Sequence, residues 1–193
     1  MYVGPVRSLL IDESTFVNCS GDLGGALYMR PLSSGSVNLP SFAQQAPVIS
    51  NSLFSHNRAQ YQGGAVLVDS STTDVEFSDC VFLHSVCMEA EGASGSVGEG
   101  GSVGLIGQEK QRFKATFDRC SFAHSTAVRG GAIFSSFAQL VITETTFSHT
   151  NGEFDWLHAM QQRQADDPAL CTAHTLVWFY FLLLVVHMCM RLR

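Results

Sequence analysis

Four of the seven histidines in this chain share one position of a repeated frame, and stacked imidazoles are its most distinctive chemical feature. The position lies two residues after a recurring phenylalanine, and its column reads Asn18, His56, His84, His124 and His149. Imidazoles in a row would bind a transition metal or respond to pH, because crowded imidazoles resist being protonated together. A row does not offer the tetrahedral geometry that zinc requires. We therefore expect a polar ladder at a turn, with each imidazole bonded to the backbone, and we predict neither a metal nor a cofactor.

A second column, three residues before the same phenylalanine, carries charge. It reads Glu13, Asn51, Asp79, Arg119 and Glu144. Stacking would place Arg119 between Asp79 and Glu144, which indicates a row of surface ion pairs, each contributing about 0.2–1 kcal/mol. The alternative is a carboxylate cluster that binds a substrate.

Cysteine chemistry is the third candidate. The chain has six cysteines and no CxxC pair, so zinc and thioredoxin-type sites have no support. Cys80 and Cys120 share the position two before the phenylalanine, and stacking would make them neighbours. We expect reduced, loosely facing thiols, since this geometry rarely suits a disulfide; the disulfide remains the alternative.

The element that positions these columns is an imperfect repeat. Its phenylalanines are Phe16, Phe54, Phe82, Phe122 and Phe147. A large apolar residue lies five positions earlier in every copy: Ile11, Ile49, Phe77, Phe117 and Ile142. Alternating polarity around that position predicts a strand with one buried face.

A glycine pair follows four of the phenylalanines and predicts a tight corner, where a side chain would clash or φ must be positive. The pairs are Gly24 and Gly25, Gly63 and Gly64, Gly100 and Gly101, and Gly130 and Gly131. Two insertions, Arg30–Gln45 and Val86–Glu99, stretch a spacing of about 25 residues, which is typical of repeat units that bury their apolar faces by stacking. We predict an all-β domain over residues 1–152, a right-handed parallel β-helix (solenoid) of about five coils.

At these residues the sequence resembles the repeats of chlamydial polymorphic outer-membrane proteins and similar β-helix surface proteins. Those repeats pair a Gly-Gly-Ala-aliphatic motif with Phe-x-x-Asn. The first half matches at Gly24–Leu27, Gly63–Val66 and Gly130–Ile133, and the second at Phe54–Asn57. The resemblance implies a β-helix displayed on a surface or secreted as an adhesin-like module, without catalytic residues.

Composition narrows the function further. A net charge of −6 with only two lysines argues against a nucleic-acid partner. The acidic residues are scattered rather than clustered, so we expect a non-catalytic module for adhesion, binding or structural spacing, with a protein or glycan as its ligand. The alternative is a fragment of a polysaccharide lyase or hydrolase on a pectate-lyase-like β-helix.

The last forty residues depart from the repeat. We expect a linker or short helix at 153–168, a hydrophobic transmembrane helix at 169–190 and a cytoplasmic tail at 191–193. Arg191 and Arg193 favour the cytoplasmic side, which would place the β-helix outside the membrane. A helix that caps the solenoid is the alternative. The first residues lack a signal peptide, so we expect a fragment of a larger protein.

Overall fold

The structure is a computed structural model that describes residues 1–3, 9–30, 46–69, 74–88, 98–109 and 112–153. Within these ranges the chain is all-β, with twenty strands that pair in parallel and form four sheets of five strands each. The predicted segments 169–190 and 191–193, and the predicted linker apart from Glu153, lie outside the described residues. Among the residues that are described, no helix is long and apolar enough to cross a membrane.

The strands are numbered in chain order, and the sheets are named A to D in the order in which the chain visits them from the second strand onward. Sheet A contains β2 (Leu10–Asp12), β6 (Val48–Ser50), β10 (Val75–Ser78), β14 (Phe113–Asp118) and β18 (Ala138–Thr143). Sheet B contains β3 (Thr15–Val17), β7 (Leu53–Ser55), β11 (Val81–Leu83), β15 (Ser121–Ala123) and β19 (Thr146–Ser148). Sheet C contains β4 (Ser20–Leu23), β8 (Arg58–Gln62), β12 (Val86–Cys87), β16 (Thr126–Arg129) and β20 (Asn151–Glu153). Sheet D contains β1 (Tyr2–Val3), β5 (Leu27–Met29), β9 (Val66–Asp69), β13 (Val103–Ile106) and β17 (Ile133–Ser136).

The chain visits the sheets in the same order every time, so four consecutive strands that begin in sheet A form one coil. Each coil pairs only with the coil before it and the coil after it. This arrangement is consistent with a parallel β-helix, and the prediction of an all-β chain of stacked parallel strands is confirmed.

Strand register puts equivalent residues of successive coils directly beside one another. In sheet B the recurring phenylalanines are paired along the whole stack, from Phe16 to Phe147. In sheet A the apolar residues five positions earlier are paired in the same way, from Ile11 to Ile142. The repeat in the sequence therefore corresponds to the register of the sheets.

Aromatic rings fill much of the interior. Phe82 has no exposed surface, and its ring stacks on Phe54 at 4.9 Å and on Phe122 at 4.6 Å between centroids. The sheet A rings of Phe77 and Phe117 stack at 4.8 Å and meet the sheet B rings edge to face. Burying each such side chain stabilises the fold by about 1.5–3 kcal/mol.

The last coil leaves part of this interior uncovered. Phe147 is 45 % exposed and Ile142 is 38 % exposed, whereas their equivalents one coil earlier, Phe122 and Phe117, have no exposed surface. Within the described part of the chain, no strand pairs with the outer edges of β18, β19 and β20.

The glycine pairs lie at the corner between sheets C and D, where they meet both conditions that the sequence predicted. Gly63 has a φ of +63°, a left-handed conformation that L side chains rarely adopt. A Cβ on Gly64 would lie 1.9 Å from the carbonyl oxygen of Gly101 in the next coil. The first glycine allows the turn and the second allows the coils to approach.

One sequence boundary was wrong. The predicted insertion Val86–Glu99 begins too early, because Val86 and Cys87 form β12 and continue sheet C. Glu99 also belongs to the stack, since it bridges in parallel to Gln62 and Arg129. The residues between them, 89–97, lie outside the described ranges.

Candidate functional site

The histidine column forms the corner between sheets B and C. All five residues of the column have positive φ, from 50° to 55°: Asn18, His56, His84, His124 and His149. The left-handed region admits asparagine and histidine more readily than most residues. Each strand of sheet B is followed by one such residue, so the local turn explains why short polar side chains recur there.

The imidazoles of this column stack face to face. Ring centroids are 4.7 Å apart for His56 and His84, 4.6 Å for His84 and His124, and 4.7 Å for His124 and His149. The backbone N–H groups of His56, His84 and His124 donate to the next coil, as His84 does to the carbonyl of Ala123 at 3.0 Å. The stack is thus held by the backbone turn beneath it.

Stacked imidazoles present their nitrogens side by side rather than toward one point. Two ligands of one zinc ion each lie about 2.0–2.1 Å from it, which requires nitrogens that converge. Among the described residues, no group of three or more His, Cys, Asp or Glu side chains is placed to hold a metal ion. The geometry of the histidine column, which His56, His84, His124 and His149 make up, therefore favours a polar ladder over a metal site.

The ladder does affect protonation. The pKa of His84 lies below its ordinary value of 6.5, because its imidazole is partly desolvated and because charge on His124 and His56 would repel its own. Ser55 adds a further contact at the ladder, since its Oγ lies 2.7 Å from Nδ1 of His56. The imidazole of His84 is thus harder to protonate than that of an ordinary exposed histidine.

The charged column forms the corner between sheets A and B, again with positive φ throughout. Its φ values run from 45° to 52° at Glu13, Asn51, Asp79, Arg119 and Glu144. Glutamate and arginine are unusual in this conformation. The corner accepts Glu13, Arg119 and Glu144 because their side chains are exposed to solvent. The left-handed turn was not predicted from the sequence.

Arg119 pairs with one of its two predicted neighbours, Asp79, and not with the other, Glu144. Its Nε and Nη2 each donate to Asp79 at 2.8 Å, and Nη1 pairs with Asp118, the preceding residue and the last of β14. Glu144 forms no ion pair with Arg119, whose guanidinium is shared between Asp79 and Asp118. Arg119 holds the pKa of Asp79 below its ordinary value of 3.8 and has its own pKa raised.

A second arginine pair was not foreseen. Nη1 of Arg129 donates to Oε1 of Glu99 at 2.8 Å, and the amide of Gln62 donates to the other oxygen of the same carboxylate, also at 2.8 Å. The sequence did not reveal this partner, because Glu99 was assigned to an insertion. The three side chains belong to successive coils and form a short polar ladder on sheet C.

Cys80 and Cys120 are buried, free thiols in adjacent coils. Their Sγ atoms donate to backbone carbonyls two residues earlier, Cys80 to Ser78 at 3.3 Å and Cys120 to Asp118 at 3.5 Å. The hydrogen bond to Cys80, together with burial, raises the pKa of Cys120 well above its ordinary value. The Cys120 thiol is therefore held protonated, which makes it a poor nucleophile.

Hydroxyl residues make the same bond in the other coils. Ser52 Oγ donates to the carbonyl of Ser50 at 2.6 Å, and Thr145 Oγ1 donates to that of Thr143 at 2.9 Å. In the column two residues before the phenylalanine, serine, threonine and cysteine side chains therefore all donate the same hydrogen bond across the turn. A reading of this column as hydroxyl or thiol in every coil would have found it.

Asn57, the residue of the strict Phe-x-x-Asn match, joins two coils from the inside. Its Nδ2 donates to the carbonyl of Phe16 at 3.1 Å, and its Oδ1 accepts from the N–H of Cys19 at 3.0 Å. The two serines that replace it in later coils are also buried: Ser125 Oγ lies 2.6 Å from Ser102 Oγ, whereas Ser85 Oγ has no partner among the described residues. Asn57 therefore provides hydrogen-bond partners for a backbone carbonyl and a backbone N–H of the neighbouring coil, which is a structural role.

These features together describe the exterior of the stack as a set of polar ladders, each repeated once per coil. The side chains that carry charge lie in different ladders, and the two arginine ladders are already paired with carboxylates. Comparison with protein-family models, with curated proteins and with solved structures found no match to this chain.

Proposed function

We propose that this chain is a surface-displayed, non-catalytic module for adhesion, binding or structural spacing, built on a right-handed parallel β-helix. The observation that carries the proposal is the unbroken register of equivalent residues from the first coil to the last. A rod of about five coils, roughly 4.8 Å apart, holds its exterior side chains about 24 Å along one axis. That regularity suits a spacer or an extended binding face.

Binding to a protein or glycan is the more specific form of the proposal. The histidine ladder presents one exposed imidazole per coil, at His56, His84, His124 and His149. A periodic partner would meet equivalent groups at every coil. The resemblance to polymorphic outer-membrane repeats supports the same role.

Display outside a membrane rests on the sequence of the C-terminal segment. Residues 169–190 are apolar over nearly the length that a helix needs to span a bilayer, and two arginines follow. This part of the proposal requires residues 169–190 to insert into a membrane, with the β-helix on its outer face.

Topology is the first test. The full chain, with an N-terminal tag, is expressed in cells, and the membranes are extracted with alkaline carbonate and treated with protease. The proposal expects the chain in the pellet and the tag accessible from outside. A soluble chain, or a tag protected inside the cell, would contradict surface display.

Binding is the second test. The purified full chain is screened against glycans and against intact cell surfaces, with His84→Asn as the comparison variant, since asparagine already occupies this column at Asn18. Saturable binding that weakens in the variant would support the histidine face. Release of reducing or unsaturated sugars from acidic polysaccharides would instead contradict a non-catalytic role.

A further inference from the structure

The two ends of the stack have complementary outlines. Every sheet contains five strands, but the chain enters in sheet D with β1 and leaves the described ranges in sheet C with β20. One end therefore projects a single strand in sheet D, and the other projects β18, β19 and β20 in sheets A to C. Placed end to end, β1 of a second copy would lie beside β17, and no sheet would have a gap or an overhang.

We propose that these ends are docking surfaces for one another, and that their occupant is a second copy of this chain stacked head to tail. The uncovered interior at the last coil supports this. Phe147 and Ile142 are 45 % and 38 % exposed, in columns whose inner members are fully covered. The first coil of a second copy would bring Phe16 and Ile11 onto them, in the same columns.

Backbone hydrogen bonding is complementary as well. In the stack, the N–H of His124 donates to the carbonyl of Ser148 in the following coil at 3.1 Å. Among the described strands, no following coil accepts a hydrogen bond from the equivalent N–H of His149. At the other end of the stack, no preceding coil among them donates to the carbonyl of Val17. A head-to-tail copy would pair these two groups.

The side-chain ladders continue across the junction with one exception. Thr145 would meet Ser14, and His149 would meet Asn18, which are pairs of the kind found within the stack. In the charged column, however, Glu144 would lie against Glu13, and like charges directly opposite each other are destabilising. This repulsion makes the register of the junction testable.

An interface of this type is heterologous and does not close, so it produces open filaments rather than a discrete dimer. Each added copy would lengthen the rod by about 24 Å at a constant cross-section. The full chain is studied in a mild nonionic detergent by sedimentation velocity over a hundredfold range of concentration and by small-angle X-ray scattering. We expect a concentration-dependent series of rods.

Two kinds of variant test the ends. The double variant Ile142→Lys and Phe147→Lys should weaken association at least tenfold, because it places charge on the exposed interior. The double variant Gln139→Lys and Ser148→Lys is the matched control, since it adds the same two charges to outward-facing positions of β18 and β19 and should leave association unchanged. Circular dichroism verifies that each variant folds.

A charge swap tests the register. Glu13→Lys should strengthen association by about three- to tenfold, since it replaces a repulsive pair with an attractive one. Glu144→Lys should act in the same direction, and Arg119 shows that a long basic side chain fits this column. The two together should return association to the wild-type level or below, because lysine would then face lysine.

Three results would overturn the proposal. The first is a monomer at every concentration, as expected if residues after Glu153 cover this end. The second is association that Ile142→Lys and Phe147→Lys leave intact, which would assign it to another surface, such as the apolar residues 176–186. The third is an association that Glu13→Lys and Glu144→Lys strengthen additively when they are combined.

Discussion

Truncating Phe82 should be among the most destabilising single changes in this chain. Its side chain has no exposed surface and lies between Phe54 and Phe122, with ring centroids 4.9 and 4.6 Å away, while Phe77 meets it edge to face at 6.1 Å. Removing a buried phenylalanine costs about 3–5 kcal/mol through lost transfer energy and the cavity left behind. Because domains of this kind are stable by only about 5–15 kcal/mol, Phe82→Ala should remove a large share of the total.

The chain contains its own control for this experiment. Phe147 occupies the same column but is 45 % exposed, and its ring stacks on one neighbour only, Phe122 at 5.0 Å. Half the burial and a single aromatic contact predict a cost of about 1–2 kcal/mol for Phe147→Ala. Urea unfolding of the full chain, followed by circular dichroism, gives the midpoint for each variant. Equal shifts for Phe82→Ala and Phe147→Ala would refute the reasoning that column position, rather than residue type, sets the energy.

Three further predictions follow from the corners and ladders. Gly64→Ala should destabilise the fold by more than about 3 kcal/mol, because its Cβ would lie 1.9 Å from a backbone oxygen. Gly21→Ala is the control in the same urea assay and should be tolerated, since its Cβ would have no neighbour closer than 3.4 Å. Asn57→Ala should cost about 1–3 kcal/mol, since it leaves a donor and an acceptor of the neighbouring coil unpaired, and an unchanged midpoint would contradict the bridging role. Because the pKa of His84 is lowered in the fold, the unfolded chain binds more protons there, so stability should fall as pH falls below about 6.5. His84→Asn should flatten the fall in melting temperature below about pH 6.5. Asp12 and Asp79, whose pKa values are lowered, should cause a separate loss of stability as pH falls below about 3.8. An identical pH profile for the variant would count against the histidine ladder as the source of the first fall.

The sequence predicted the stacking of sheets A and B well, because large apolar residues recur there at fixed distances. Ile49 and Phe54 belong to strands of three residues, yet their columns are unmistakable when the copies are aligned. Sheet C was missed for the opposite reason. Its first strand, Ser20–Leu23, is mostly exposed and has no alternating pattern, and its third, Val86–Cys87, has only two residues.

The candidate site was predicted less completely. The sequence placed the histidines in one column, and the structure stacks them. The left-handed turn of the charged column, however, leaves no sign in residues such as Glu13 or Arg119. Partner choice was harder still. Arg119 pairs with Asp118 rather than Glu144, which depends on side-chain geometry between adjacent residues of the chain rather than on the repeat.

The coil corners differ in one further respect, which is their tolerance of length. The corners between sheets A and B and between sheets B and C contain two residues in every coil, and each of them begins with a left-handed residue. The connection from sheet D to sheet A ranges from one residue, Phe137, to the eighteen residues between β5 and β6. Since a coil contacts only its neighbours, added residues at this connection change no register elsewhere. Length also varies between sheets C and D, from three residues between β4 and β5 to fifteen between β12 and β13. Variation in length is thereby confined to the two connections beside sheet D, where new segments can be acquired at little cost to the fold, while the two corners beside sheet B keep a fixed geometry.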